Sequence, residues 1–347
     1  QLESPGGLAL DTAGDLFVAD TGHCRVLEVP AQSAFRYGRQ LQAGRVVTVA
    51  GGSCTGAHAM GRPSGLAVDL HGDVYVAEAT AQRVQEIRAG GTAGLFTVVG
   101  SGLDQPTSVA VDESGDVFIA DTAHCRVVAL PARDTMLFGQ VVRAGQLSTV
   151  AGTGTCGTTG QGGPAHSAEL WNPVGVALDP DGNLLVADSG DQSVLLIAVR
   201  SGTDFGTTVG AGDIAVVLGG TGSYGSYLAD GLPAAGPTAE LNDPRGLALA
   251  GTDLLFVTDG FMHALRVVPA TTGTFFGRAM TVGDLYTAAG AVPVQSAAGG
   301  GDGTRWVLTH LGTPTGVAVS ASGTVYVADA ARDEVLALSG SSGGGGS

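Results

Sequence analysis

Charge is scarce in this chain: only 14% of its 347 residues are Asp, Glu, Lys or Arg, and only 5% are aromatic. No apolar stretch approaches the ~20 residues of a spanning helix, so membrane insertion is not expected. No secretory or transit segment is read at the start, and Gln1 reads as a trimmed beginning. What charge there is has one sign, 32 acidic residues against 16 basic for a formal net charge of −16. A field of that sign repels phosphate backbones and argues against nucleic-acid binding. Neither HExxH nor CxxC occurs, which removes the short spacings that signal zinc sites.

Glycine is abundant instead, at 58 residues, and apolar residues make up 44% of the chain. Low charge with many apolar residues suggests sheets covered on both faces, whose strands read as nearly continuous apolar runs. Six segments share one scheme: Pro-x-(Gly/Ser)-apolar-Ala-apolar, a turn, then apolar-x-(Val/Ile)-(Ala/Thr)-(Asp/Glu). They begin at Pro5, Pro63, Pro106, Pro173, Pro244 and Pro314, and each ends 15 residues later on an acid: Asp20, Glu78, Asp121, Asp188, Asp259 or Asp329. Each reads as two short strands joined by an Asp/Gly/Ser turn. A third strand follows, as at 25–29 and 126–130, and a fourth closes most copies, at 46–50, 96–99, 147–151, 214–218 and 285–288. Four antiparallel strands repeated radially make a six-bladed, all-β propeller over residues 1–339. The spacing between successive prolines runs 58, 43, 67, 71 and 70, so the variation lies in the connections. Four blades lengthen the hairpin between strands three and four around Tyr37-Gly38, Phe138-Gly139, Phe205-Gly206 and Phe276-Gly277. The tail 340–347 (GSSGGGGS) reads as an engineered flexible linker outside the fold.

The segments VADTGHCRV at 18–26 and IADTAHCRV at 119–127 resemble the NHL repeat family, and the resemblance extends from residue 5 to about 338. The third-strand arginine of that pattern stands at Arg25, Arg83 and Arg126, whereas blades 4 to 6 carry Ser193, Ala264 and Glu334 there. NHL propellers commonly close with a strand from the opposite terminus. The last copy here ends at Leu338 with no fourth strand, so an upstream segment is expected to complete it. Without one, blade 6 offers an open edge for strand addition.

Cys24 and Cys125 open the third strands of blades 1 and 3, and Cys54 and Cys156 follow the fourth strands of the same blades. Antiparallel neighbours bring those positions together, which predicts the bridges Cys24–Cys54 and Cys125–Cys156. Two bridges at equivalent places imply an oxidising compartment, hence an extracellular or cell-surface location.

The loops between strands two and three share one face, the top, with the connections between blades. His23, His58, His124, His166, His263 and His310 map there, together with the six closing acids. In blades 1 to 3 the acid can pair with the arginine five residues on. Asp188, Asp259 and Asp329 have no such partner in their own repeats, so uncompensated negative charge is expected there. It would suit a basic partner or a hard cation such as calcium. Tyr224, Tyr227, Phe261, Met262, His263, Arg305, Trp306 and His310 fall in the same half of the top face. Aromatic and arginine side chains of this kind are favoured at interfaces. The segments PAHSAEL at 164–170 and PTAEL at 237–241 read as short helical turns, and the Asp-to-Gly turns at 11–15, 69–73, 112–116 and 179–183 as ordinary turn chemistry.

These readings describe a monomeric, exported scaffold that binds a protein, peptide or glycan on its top face. No catalytic residue, resident metal or other cofactor is assigned. The alternative is a metal-dependent lyase or hydrolase, similar to the NHL-type lyases that cleave peptidyl-hydroxyglycine with zinc. The innermost strands lack the histidines such a site would need, so none of that family's catalytic residues can be placed here.

Overall fold

The computed structural model describes residues 1–56, 59–90, 94–220, 230–236, 239–290 and 310–339. Six sheets stand around a common axis, and every pairing within a blade is antiparallel. Blade 1 runs outward from the axis as Pro5–Leu10, Leu16–Asp20, Arg25–Val29 and Val47–Gly51. Blades 2, 3 and 4 repeat that order, starting at Pro63–Val68, Pro106–Val111 and Pro173–Leu178. Blade 5 starts at Pro244–Ala250 and gains a short fifth strand, Leu232–Pro233, on its outer edge. Blade 6 has three strands, Pro314–Val319, Val325–Asp329 and Glu334–Leu338. Among the described residues the last of these pairs only with Val325–Asp329, so the expected open edge is present.

The apolar runs are explained by the packing. The second strands Leu16–Asp20, Val117–Asp121 and Leu184–Asp188 are buried at every position, because a neighbouring blade covers each face. Apolar clusters fill the seam between each pair of adjacent blades, blade 6 with blade 1 included. That closing seam is the thinnest. It holds six buried residues (Leu8, Leu16, Val18, Leu27, Ala318 and Ala328), whereas seventeen fill the seam between blades 3 and 4.

Around the axis the first strands approach one another closely. A Cβ on Gly7 would lie 2.6 Å from the carbonyl oxygen of Ser64, and one on Gly175 only 2.0 Å from that of Arg245. Glycine at this place in five of the six blades lets the backbones converge. Ser108 stands there in blade 3, and its hydroxyl accepts the Val176 N–H at 3.1 Å. Hydroxyls stitch each blade to the next. Thr21 donates to the Pro63 carbonyl at 2.7 Å, Thr122 to that of Pro173 at 2.7 Å, and Thr258 to that of Thr315 at 3.0 Å. Thr315 closes the ring by donating to the Pro5 carbonyl at 2.8 Å. Replacing Thr315 with Val keeps the shape and removes that donor. We expect a loss of about 1–2 kcal/mol in denaturant unfolding, because the carbonyl is left without a partner at the thinnest seam.

The four Tyr-Gly and Phe-Gly elements are two-residue turns in which both residues have positive φ, 52° and 71° at Tyr37 and Gly38. This is the turn that matches strand twist, although an aromatic residue is unusual in the left-handed region. Burial of the rings offsets the strain: Tyr37, Phe138 and Phe205 are 5%, 6% and 2% exposed. The Asp-Gly turns are as expected. Asp11 Oδ1 accepts the N–H groups of Ala13 and Asp15 at 2.9 and 2.8 Å, and Gly14 takes φ 86°. Of the two helical turns expected, Ala165–Ser167 is a single 3₁₀ turn, and the second falls partly outside the described residues.

Candidate functional site: the top face and channel mouth

The six closing acids are all fully buried. Each accepts the backbone N–H of the chain arriving at its own blade. Glu3 donates to Asp20 at 2.8 Å, Gly61 to Glu78 at 2.6 Å, Asp104 to Asp121 at 2.7 Å and Asn242 to Asp259 at 2.8 Å. Trp171 donates to both oxygens of Asp188, at 2.9 and 3.0 Å, and Gly312 and Thr313 donate to Asp329 at 2.6 and 2.9 Å. The ring is thus a set of latches that fix the start of each innermost strand. In blades 1 to 3 the expected arginine completes the latch, as in Arg25 Nε to Asp20 at 2.6 Å and Arg126 Nε to Asp121 at 2.7 Å. His23 and His124 add their Nδ1 atoms to the same two carboxylates at 3.0 Å.

The other half of the ring departs from the expectation of uncompensated charge at two of its three acids. Asp329 has Arg332 at 3.8 Å, supplied by the loop rather than the third strand. Asp259 has the charge of Arg266, two places further along the third strand than the repeat pattern puts it, and both side chains are fully buried. Among the described residues only Asp188 lacks a nearby cation. Burial pushes its carboxyl up to about 7, against the pull of the Trp171 N–H, and Asp191 raises it further. Burial likewise pushes Asp259 up to about 7, opposed by the Asn242 N–H and by Arg266. All three carboxylates lie beneath the surface, because the latching N–H groups hold them inward.

The remaining candidates are scattered. Phe261 is 62% exposed, Met262 half-buried, and His310 exposed. His263 takes φ 53° just before the third strand, and its ring bonds the Gly312 carbonyl. Its place in the repeat is that of Cys24, and the same left-handed residue recurs at Gln82, Cys125, Gln192 and Asp333. Tyr224, Tyr227, Arg305, Trp306 and His58 lie outside the described residues. Among the described residues no group of three or more His, Cys, Asp or Glu is arranged to hold a metal ion, and no helix is long and apolar enough to cross a membrane. Both expected bridges are formed, Cys24–Cys54 and Cys125–Cys156, with Cα atoms 5.2 and 5.1 Å apart.

The feature that sequence reasoning missed lies on the axis. A cavity of about 290 Å³ is lined by the first strands of all six blades. Its side chains include Thr21, Ser64, Thr107 and Thr315, with Arg62 and Arg245 at the top. Among the described residues no carboxylate, imidazole or thiol lines it. Arg245 is held by a built network. Its Nε meets Asp243 at 2.5 Å, while Asp243 accepts the Ser189 hydroxyl at 2.7 Å and donates its N–H to Gln192 at 2.6 Å. The residues flanking each blade proline were the available signal, since arginine appears before Pro63 and after Pro244 and in no other blade.

The NHL repeat profile matches residues 2–28, 103–130 and 170–195, which are the opening strands of blades 1, 3 and 4. The chain is a six-bladed β-propeller that carries NHL repeats at those three places. No curated protein matches it by sequence. Among solved structures, this NHL propeller is similar to a protein of unknown function from Bacteroides thetaiotaomicron (16% identity, TM-score 0.61, covering 96% of this chain and 69% of that one). It is also similar to an auxiliary nutrient binding protein from the same organism (12%, 0.59, 96% and 68%). A streptogramin B lyase shares the fold as well (12%, 0.54, 97% and 94%). At these identities the likeness is one of fold, which hosts binding and catalysis alike.

Proposed function

We propose that this NHL propeller is an exported binding protein that receives its ligand on the top face, over the mouth of the axial channel. The observation that carries the reading is the channel lining, which offers hydroxyls, backbone edges and two guanidinium groups. Those groups can hold a ligand, whereas proton transfer to or from a substrate calls for carboxylates, imidazoles or thiols, which are missing from the lining among the described residues. The two disulfides support work in an oxidising compartment, at the cell surface or beyond it. The reading is consistent with the fold being shared by an auxiliary nutrient binding protein. Phe261, exposed in the blade 5 loop, and Trp306, in the following connection, are proposed as rim contacts for a protein, peptide or glycan.

The test is a thermal-shift screen against glycan and peptide libraries, followed by hydrogen-exchange footprinting of any hit. Protection is expected at the starts of the innermost strands and in the blade 5 loop. The double variant Phe261→Ala, Trp306→Ala is expected to weaken a protein or peptide ligand at least tenfold with little change in melting temperature. A footprint confined to the opposite face, or unchanged affinity in that variant, contradicts the proposal.

A further inference from the structure

We infer that the channel mouth is built for a small hydroxylated carboxylate, a sugar acid, held between the guanidinium groups of Arg62 and Arg245. The inference rests on the channel mouth being the ligand site and goes on to name the ligand's chemistry. All sixteen bases of the chain are arginines, and they are outnumbered two to one by acids. Yet among the described residues the only ionisable side chains lining the axial cavity are two of those arginines. They come from blades 2 and 5, which face each other across a six-bladed ring. Arg62 is exposed and makes no side-chain hydrogen bond or ion pair with any described residue. Its backbone takes φ 54° immediately before Pro63, the left-handed turn that Ser4, Gln105, Asn172 and Asp243 also make before their blade prolines, so the turn belongs to the repeat while the arginine side chain is particular to this blade. Arg245 has only its Nε committed, to Asp243, so its two terminal nitrogens remain as a donor pair for a carboxylate. Among the described residues Asp243 is the one acid paired with either arginine. With its oxygens on Arg245 Nε and the Ser189 hydroxyl, the three charges sum to +1.

The rest of the wall explains why the ligand should carry hydroxyls as well. The protons of Thr21 and Thr315 point to the carbonyls of Pro63 and Pro5, at 2.7 and 2.8 Å. That of Ser64 points to the carbonyl of Ala77 at 3.1 Å, and that of Thr107 is taken up between the Thr122 hydroxyl at 2.5 Å and the Val174 carbonyl at 3.0 Å. These side chains therefore present lone pairs to the cavity and are acceptors for ligand O–H groups. Guanidinium donors at the mouth and hydroxyl acceptors along the wall match carboxylates joined to a polyol. A volume of about 290 Å³ accommodates a six-carbon acid with its bridging waters.

Calorimetric titration of the full chain with galactarate, galacturonate and galactitol tests this directly, because the three probes carry two, one and no carboxylates on the same carbon skeleton. The expected order of affinity is galactarate, then galacturonate, then galactitol, each step at least tenfold, with galactarate binding weakened by added salt. Arg62→Gln is expected to weaken galactarate at least tenfold with an unchanged melt, since that side chain supports nothing in the fold. Arg245→Gln is expected to do the same, with its melt recorded as a check on the Asp243 network. Galactitol binding as tightly as galactarate, an unaffected Arg62→Gln variant, or no binding by any probe overturns the inference. The proposed function itself falls only if every ligand from the library screen footprints away from the top face.

Discussion

Replacing Cys24 and Cys54 together by Ser is expected to lower the stability of the propeller by about 3.5 kcal/mol, and the Cys125, Cys156 pair by a similar amount. Each bridge closes a loop of about thirty residues, with sequence separations of 30 and 31, so each removes a similar chain entropy from the unfolded state. The native geometry adds to the expected effect. Cys24 and Cys125 are 1% and 3% exposed at the left-handed residue that turns the chain into the third strand. Each bridge thereby pins that turn to the segment leaving the fourth strand, where the outer edge of the blade is otherwise held by one line of backbone hydrogen bonds. Guanidinium unfolding with and without a reductant reads the effect. A large drop in the midpoint for the wild type in reductant, and none for the quadruple Ser variant, is the expected pattern. Equal midpoints for the wild type in both conditions would show that the bridges constrain nothing.

The second large effect is a dependence of stability on pH that runs opposite to the usual behaviour of a salt-bridged carboxylate. Asp188 is fully buried, and its carboxyl is raised from 3.8 to about 7, chiefly by burial. Between pH 4 and 7 the unfolded chain has ionised this group while the folded chain keeps it protonated, so rising pH favours unfolding. The penalty is absent below about pH 4, grows through the interval, and is constant above about pH 7. At about 1.4 kcal/mol per unit it reaches roughly 4 kcal/mol. Asp259 and Glu28, both also raised to about 7 with burial as the main cause, act in the same direction. The Asp188→Asn variant isolates one contribution, because its side-chain oxygen can still accept the Trp171 N–H while carrying no charge. Its stability relative to the wild type is expected to rise steadily from pH 4 to pH 7 and then level off. A difference that does not vary with pH would mean that the carboxylate is stabilised in the fold by something other than these neighbours.

Which parts of the molecule were legible in the sequence follows from how each is encoded. The blades, their turns and the paired cysteines repeat at fixed offsets from a proline. Six copies of the proline-to-acid scheme reinforce one another, as do four copies of the turn made by Asp11 with Gly14 and three of the pair made by Asp20 with Arg25. The role of the closing acids was only half legible. The pairing in blades 1 to 3 could be read from the five-residue interval, but Arg266 reaches Asp259 from a different register and Arg332 reaches Asp329 from the loop. The latching N–H groups belong to residues such as Trp171 and Asn242, which share a place in the chain but no residue type, so no pattern of side chains announces them. The channel mouth was illegible for a related reason. It is assembled from three to five residues of each blade, and the two that give it charge, Arg62 and Arg245, break the repeat instead of following it. A search for what is common to the copies passes over them, and only closure of the ring sets them face to face.

The reading of this NHL propeller as a binding protein rather than a metal-dependent lyase is tested most directly by elemental mass spectrometry of the purified chain, paired with thermal melts in the presence and absence of a chelator. The account predicts no stoichiometric transition metal and superimposable melts. Zinc near one atom per chain, removed by the chelator together with a large part of the stability, would contradict it and turn attention to the top-face histidines as ligands.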